Sequence, residues 1–147
     1  MRSIALILPL FTLLAGCVTR PATFPSPSRQ ADAYLSLVAT GYCHCGACCG
    51  WERNWLGRPV FSSGPAKGRP KSVGLTASGT QAKPGTLAAD PAYFPRGTRM
   101  FIPGYGYGRV EDTGGAIKAG RIDLYFRSHQ EALNWGRRQK DVQVWYP

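Results

Sequence analysis

Apolar and polar positions alternate in short runs along most of the chain, and few runs are long enough for a helix. Tyr34 to Tyr42 (YLSLVATGY) alternates loosely and is β-rich, which predicts a first strand. A short strand or turn follows at Leu75 to Thr80, and GTLAAD carries a strand ending at Asp90, where Asp-Pro starts a turn. GTRMFIPGYG and YGRVED read as two strands around a Pro103-Gly104 turn. In RIDLYF, Ile122, Leu124 and Phe126 share one face while Asp123 and Tyr125 take the other, because successive strand side chains point to opposite faces. DVQVWYP is a last strand with Val142, Val144 and Tyr146 alternating. SHQEALNWGRR is the one helical pattern: Ser128 with Glu131 three residues on makes a capping box, and Ala132, Leu133 and Trp135 supply an apolar face. About six strands and one short helix near the C-terminus predict an all-β fold, most economically a small closed barrel, since closure removes exposed sheet edges.

Eighteen Gly and twelve Pro in 147 residues agree with short strands and many turns. The length holds one domain and one core. Residues 1–16 have Arg2, an apolar run from Ile4 to Leu14 and then small residues, the order of a secretory signal. The run is too short for a stable membrane span. LLAGC at Leu13 to Cys17 resembles a bacterial lipobox, in which cleavage precedes the cysteine and Cys17 is lipidated; Val18 after it resembles an outer-membrane sorting pattern. Residues 17–33, rich in Pro and Ser, read as a flexible tether, and residues 34–147 as the folded domain. The formal charge is +10, and loss of Arg2 with the signal leaves +9. That excess suits an acidic partner in the envelope, peptidoglycan or lipid headgroups, or serves solubility alone. No helix-turn-helix, zinc-finger or RNA-binding aromatic pattern points to nucleic acid.

Of eight acidic residues, Asp90, Asp112 and Asp123 each sit at or beside an apolar strand segment. Aspartate is a poor strand former and costly to bury unpaired, so each requires a reason. Asp90 before Pro91 and Asp112 before Thr113-Gly114 suit turns as well as they suit chemistry. Asp123 lies mid-strand with no turn chemistry around it, which favours function over a salt bridge to Arg121 or Arg127. Between Asp112 and Asp123 runs a loop bearing Gly114, Gly115, Lys118, Ala119 and Gly120; bare glycines let a bulky ligand approach the backbone beside both carboxylates, and they also suit a tight turn.

LTASGT, AADPAYFPRGT, FIPGYGYGRVEDTGGAIKAGRIDLYF and HQEALNWGRR, in this order, resemble the 3D domain, a family named for three aspartates and shared with the catalytic barrel of membrane-bound lytic transglycosylase A. The resemblance covers roughly Val38 to Pro147. It implies a six-stranded double-psi β-barrel that cleaves peptidoglycan. The three aspartates fall on Asp90, Asp112 and Asp123, the acid and base on Asp123, and the Thr-x-Ser-Gly stretch on Thr76, Ser78 and Gly79, with Thr76, Ser78, Gly114, Gly115 and Lys118 facing substrate. Ala119 before Gly120 departs from the family, as does the long basic loop 51–72. The resemblance reaches the barrel of the large transglycosylase and not its second, substrate-gripping domain.

The implied reaction breaks the MurNAc–GlcNAc β-1,4 bond without water, giving a 1,6-anhydro product, and needs neither cofactor nor metal. One carboxyl donates and then accepts a proton, so a raised pKa suits it. A hydrolase using Asp112, Asp123 and water, and a wall-binding barrel without catalysis, are the alternatives. Cys43, Cys45, Cys48 and Cys49 form an even set in an oxidising compartment, read as two disulfides in preference to a thiolate metal site. Trp51, Trp55 and Phe61 in the basic loop are either a sugar-stacking platform or loop anchors.

Overall fold

The computed structural model describes residues 24–147, so the signal segment and Cys17 lie outside the described residues. Eight strands and two helices follow in chain order: β1 (Ala33–Tyr42), α1 (Gly46–Cys49), β2 (Trp51–Arg53), β3 (Pro59–Phe61), β4 (Thr86–Ala89), β5 (Arg99–Ile102), β6 (Gly106–Asp112), β7 (Arg121–Tyr125), α2 (His129–Trp135) and β8 (Arg138–Trp145). Six strands close into a barrel in the order β1-β7-β4-β6-β5-β8. The pairs β1–β7 and β4–β6 are parallel and the others antiparallel, the crossed arrangement expected of a double-psi barrel.

The core follows the period-2 pattern. Leu37 and Ala39 of β1, Leu87 and Ala89 of β4, Met100 and Ile102 of β5, Ile122 and Leu124 of β7, and Val142 and Val144 of β8 are all buried in one cluster. Helix α2 has the expected capping box: the Ser128 side chain accepts from the Glu131 amide and the Glu131 carboxylate accepts from the Ser128 amide. It lies on the barrel wall through Ala132 and Trp135, whose indole N–H donates to the Ala39 carbonyl, while Leu133, expected on the apolar face, is exposed. Close approach here requires Gly41, since a Cβ at that position would stand 2.9 Å from the Ala132 carbonyl oxygen.

Two segments differ from the sequence reading. Residues 24 to 32, expected within the tether, lie against the barrel: Phe24 is buried under Lys83 and Arg109, the Trp145 indole donates to the Arg29 carbonyl, and the Asp32 amide donates to Val144. Proline removes backbone donors but leaves carbonyls and aromatic side chains free to dock, so a Pro-rich composition does not by itself predict detachment. The loop 51–72 contains a hairpin, β2–β3, that pairs Trp51 with Phe61 and carries Trp55 at its exposed tip.

Candidate functional site

Asp112 and Asp123 do not sit on a hairpin, because β6 and β7 are not paired with each other. Strand β4 runs between them, and Ala88 is the register partner of both Asp112 and Asp123. Thr40 of β1 partners Asp123 on its other side. Side chains in register share a face, so the row Asp112, Ala88, Asp123, Thr40 crosses the outer face of the sheet. Two strand spacings put the aspartate Cα atoms roughly 10 Å apart. The side chain at the register position between them is the methyl of Ala88.

A β-bulge turns Asp112 to that face. The β4–β6 register runs Thr86–Arg109 and Leu87–Val110, then skips Glu111 to pair Ala88 with Asp112. Simple alternation would put Asp112 on the core side with Val110; the extra residue reverses its direction. The bulged Glu111 is buried and satisfied, its carboxylate accepting from the Thr86 hydroxyl at 2.9 Å and from the Arg109 Nε at 3.0 Å, with a second contact from the Arg109 guanidinium.

The two carboxylates are held differently. Asp112 accepts from the Ala77 amide at 3.0 Å, the Thr113 amide at 2.9 Å and the Tyr42 hydroxyl at 3.2 Å. Asp123 Oδ1 is buried with no hydrogen-bond partner. Burial pushes the Asp123 carboxyl above the ordinary aspartate range, with the Asp112 charge adding to the shift; the Thr40 hydroxyl, the Leu124 amide and Arg121 oppose it. Burial and the Asp112 charge likewise push the Tyr42 phenol far up, so it remains a donor.

These groups line a cleft of 280 Å³ together with Tyr125, Gly114 and Lys71. Tyr42 and Tyr125 meet edge to face at 5.5 Å on its floor, and the Tyr125 hydroxyl is hydrogen-bonded to His44 Nδ1 at 2.7 Å. That bond gives His44 the partner its sequence context does not reveal. The wall on this side is the cysteine segment, where Cys48 and Cys49 reach the cleft.

Asp90, Thr76, Ser78, Gly115 and Lys118 are not among the residues lining the cleft. Asp90 accepts from the Ala92 amide at 3.1 Å and the Ala119 amide at 3.3 Å, so it ties the end of β4 to the loop between the other two aspartates. These two amides, followed by the charge of Lys118, hold its carboxyl below the ordinary range. The Thr76–Thr80 turn acts through its backbone, with the Ala77 amide on Asp112 and the Ser78 amide on the Glu111 carbonyl. Gly114 is required by space, since a Cβ there would stand 2.9 Å from Ile117 Cγ1, whereas Gly115 opens onto free space. The left-handed residue of this loop is Ala119, at φ 51°.

Cys43, Cys45, Cys48 and Cys49 are free thiols in the structure, unlike the two disulfides read from the sequence. Trp51 anchors its hairpin through the His44 carbonyl at 2.8 Å, and Lys71 stands over the Phe61 ring at 4.2 Å. Trp55, 90% exposed, anchors nothing.

Residues 85–146, from just before β4 to just past β8, match the family model of the 3D domain. The segment includes all three aspartates and leaves β1 and the cysteine cluster outside it. Two curated proteins of Bacillus subtilis (strain 168) are similar to this chain. The cell wall-binding protein YocH is 41% identical over 58 residues, 40% of this chain and 20% of its own; the putative cell wall shaping protein YabE is 35% identical over 75 residues, 48% of this chain and 18% of its own. The chain thus spans about a fifth of the length of these relatives. Among solved structures, MltA from E. coli is similar at a TM-score of 0.42 and 24% identity, over 52% of this chain and 29% of that one.

Proposed function

We propose that the protein is a lytic transglycosylase that cleaves peptidoglycan glycan strands, with Asp123 as its acid and base. The observation that carries this reading is the Asp123 carboxyl: half-buried, with one buried oxygen unpartnered, lining a cleft of 280 Å³, and biased toward its protonated form. A carboxyl whose surroundings favour the protonated form is suited to donate.

Asp123 gives its proton to the glycosidic oxygen of the leaving GlcNAc as the bond from the MurNAc anomeric carbon breaks. The C6 hydroxyl of the same MurNAc bonds to that carbon and returns its proton to the Asp123 carboxylate. No water is consumed, and the carboxylic acid is regenerated. Asp112, fixed by two amides and Tyr42, supplies negative charge for the developing positive centre. Asp90 is a positioning residue that holds the loop bearing Gly114. Lys71 at the rim suits the acidic groups of peptidoglycan. Anchoring through a lipidated Cys17, on the periplasmic face of the outer membrane, would hold the barrel beside its substrate.

The names of YocH and YabE favour a second reading, a barrel that binds wall glycan without cutting it. Digestion of purified sacculi by a soluble form beginning at Val18, with mass spectrometry of released muropeptides, separates the readings. Anhydro ends, one water lighter than hydrolysed ends and absent with Asp123→Asn, are expected. Reducing ends would indicate a hydrolase, and sacculus binding without release a binding barrel.

A further inference from the structure

Beside the cleft, four metal-ligating side chains converge from two parts of the chain. The sulfurs of Cys43, Cys45 and Cys48 and a ring nitrogen of His129 all lie within 4.8 Å of one another. Cys43 Sγ is 3.8 Å from Cys48 Sγ, and His129 Nδ1 is 3.5 Å from Cys45 Sγ and 3.3 Å from Cys48 Sγ. We propose that these four residues bind one zinc ion in a closed Cys3His site that fixes the wall of the cleft.

The spacings carry the argument. Zinc bonds thiolate at ~2.3 Å and imidazole at ~2.0–2.1 Å with tetrahedral angles, which places sulfurs about 3.8 Å apart and sulfur from nitrogen about 3.5 Å. A disulfide would bring two sulfurs to ~2.05 Å. These three donor pairs thus stand close to the separations of a shared ion, with all four donors within 4.8 Å of one another, and tetrahedral S3N coordination is the donor set that selects zinc over harder cations. The Cys45 amide points at Cys43 Sγ at 3.5 Å, the outer-shell N–H···S contact that stabilises a metal-bound thiolate. Cys49 is excluded, since its thiol donates to the Cys43 carbonyl at 3.1 Å. Binding releases three thiol protons to solvent and changes no oxidation state.

Four protein ligands leave zinc no open position, so its role is structural. It would clasp the segment after β1 to the first turn of α2. The fixed segment holds His44, whose ring meets the Tyr125 hydroxyl, and Cys48 at the cleft edge. In sequence the ligands resist recognition, because C-x-C-x-x-C offers three and the fourth comes 81 residues after Cys48.

The test is metal analysis of the full chain purified in detergent without chelator, together with alkylation of its thiols before and after denaturation. About one zinc per chain is expected, with Cys43, Cys45 and Cys48 blocked from alkylation until the metal is stripped. Cys45→Ser and His129→Asn should each lower zinc affinity at least tenfold, while Cys49→Ser keeps it. Cobalt(II) titration of the reduced wild-type chain needs no variant: intense visible absorption from tetrahedral thiolate coordination is expected. Disulfide-linked peptides from this segment in the purified protein, no zinc uptake by the reduced chain, or loss of zinc with Cys49→Ser equal to the others would overturn the proposal.

Discussion

Replacing Asp123 should remove activity and strengthen the fold together. Its Oδ1 is buried without a partner, and a buried unsatisfied polar group costs about 1–3 kcal/mol. Asp123→Ala deletes that oxygen while sacrificing little packing, because the neighbour across each register pair is the small Ala88 or Thr40. A net gain of about 1–2 kcal/mol follows, which for a domain of this size raises Tm by about 3–8 °C. Asp123→Asn refines the test through pH. The folded carboxyl binds its proton more tightly than the unfolded one, whose value is near 3.8. The contribution of Asp123 to stability is therefore greatest below that value and falls as pH rises through the raised folded value. The Asn variant lacks this decline, so the two unfolding curves should diverge in that window, with the variant the more stable at neutral pH. Circular dichroism melts and urea titrations across pH give the numbers. A Tm lowered by Asp123→Ala, or parallel pH profiles for wild type and Asp123→Asn, would refute the picture of a strained acid.

Other consequences reach different parts of the site. Ala119 holds a left-handed φ of 51° that costs about 1–2 kcal/mol for an L-residue; Ala119→Gly should gain about 0.5–1 kcal/mol in urea unfolding, after the added freedom of the unfolded chain. Glu111→Ala leaves the buried Thr86 hydroxyl without its acceptor and frees the partly exposed Arg109, and a loss of about 1–3 kcal/mol in the same assay is expected. Tyr42→Phe removes one of the three donors to Asp112; a hydrogen bond to a charged group is worth about 1.5–3 kcal/mol, so turnover of sacculi should fall at least about tenfold with the melt little changed. Turnover by the wild-type chain should decline as pH rises past the elevated Asp123 value, since the acid must be protonated to donate.

Asp123 was legible in the sequence because its strand alternates cleanly: Ile122 and Leu124 must face the core, so the aspartate between them cannot. Asp112 was legible as a candidate but not as a cleft residue. Alternation in RVED puts it with Val110, and only the bulge at Glu111 turns it outward, through burial of a glutamate that has no local sequence signature. The capping box of α2 is a four-residue motif with a local cause and appears as expected. Leu133 fails the same pattern because α2 buries only a narrow stripe against β1. Roles that depend on distant partners stayed hidden: His44 with Tyr125, His129 with the cysteines, and Phe24 under Arg109. The Thr76–Ser78 stretch, expected to face substrate, does not line the cleft; its Ala77 amide donates to Asp112 and its Ser78 amide to the Glu111 carbonyl.

The most direct test of the central claim is the fate of solvent oxygen at the cut. Sacculi digested in heavy-oxygen water by the wild-type chain and by Asp123→Asn, followed by mass spectrometry of the new glycan ends, report it in one experiment. The account predicts anhydro ends free of the label from the wild type and no new ends from the variant. Labelled reducing ends, or undiminished cleavage by the variant, would contradict it.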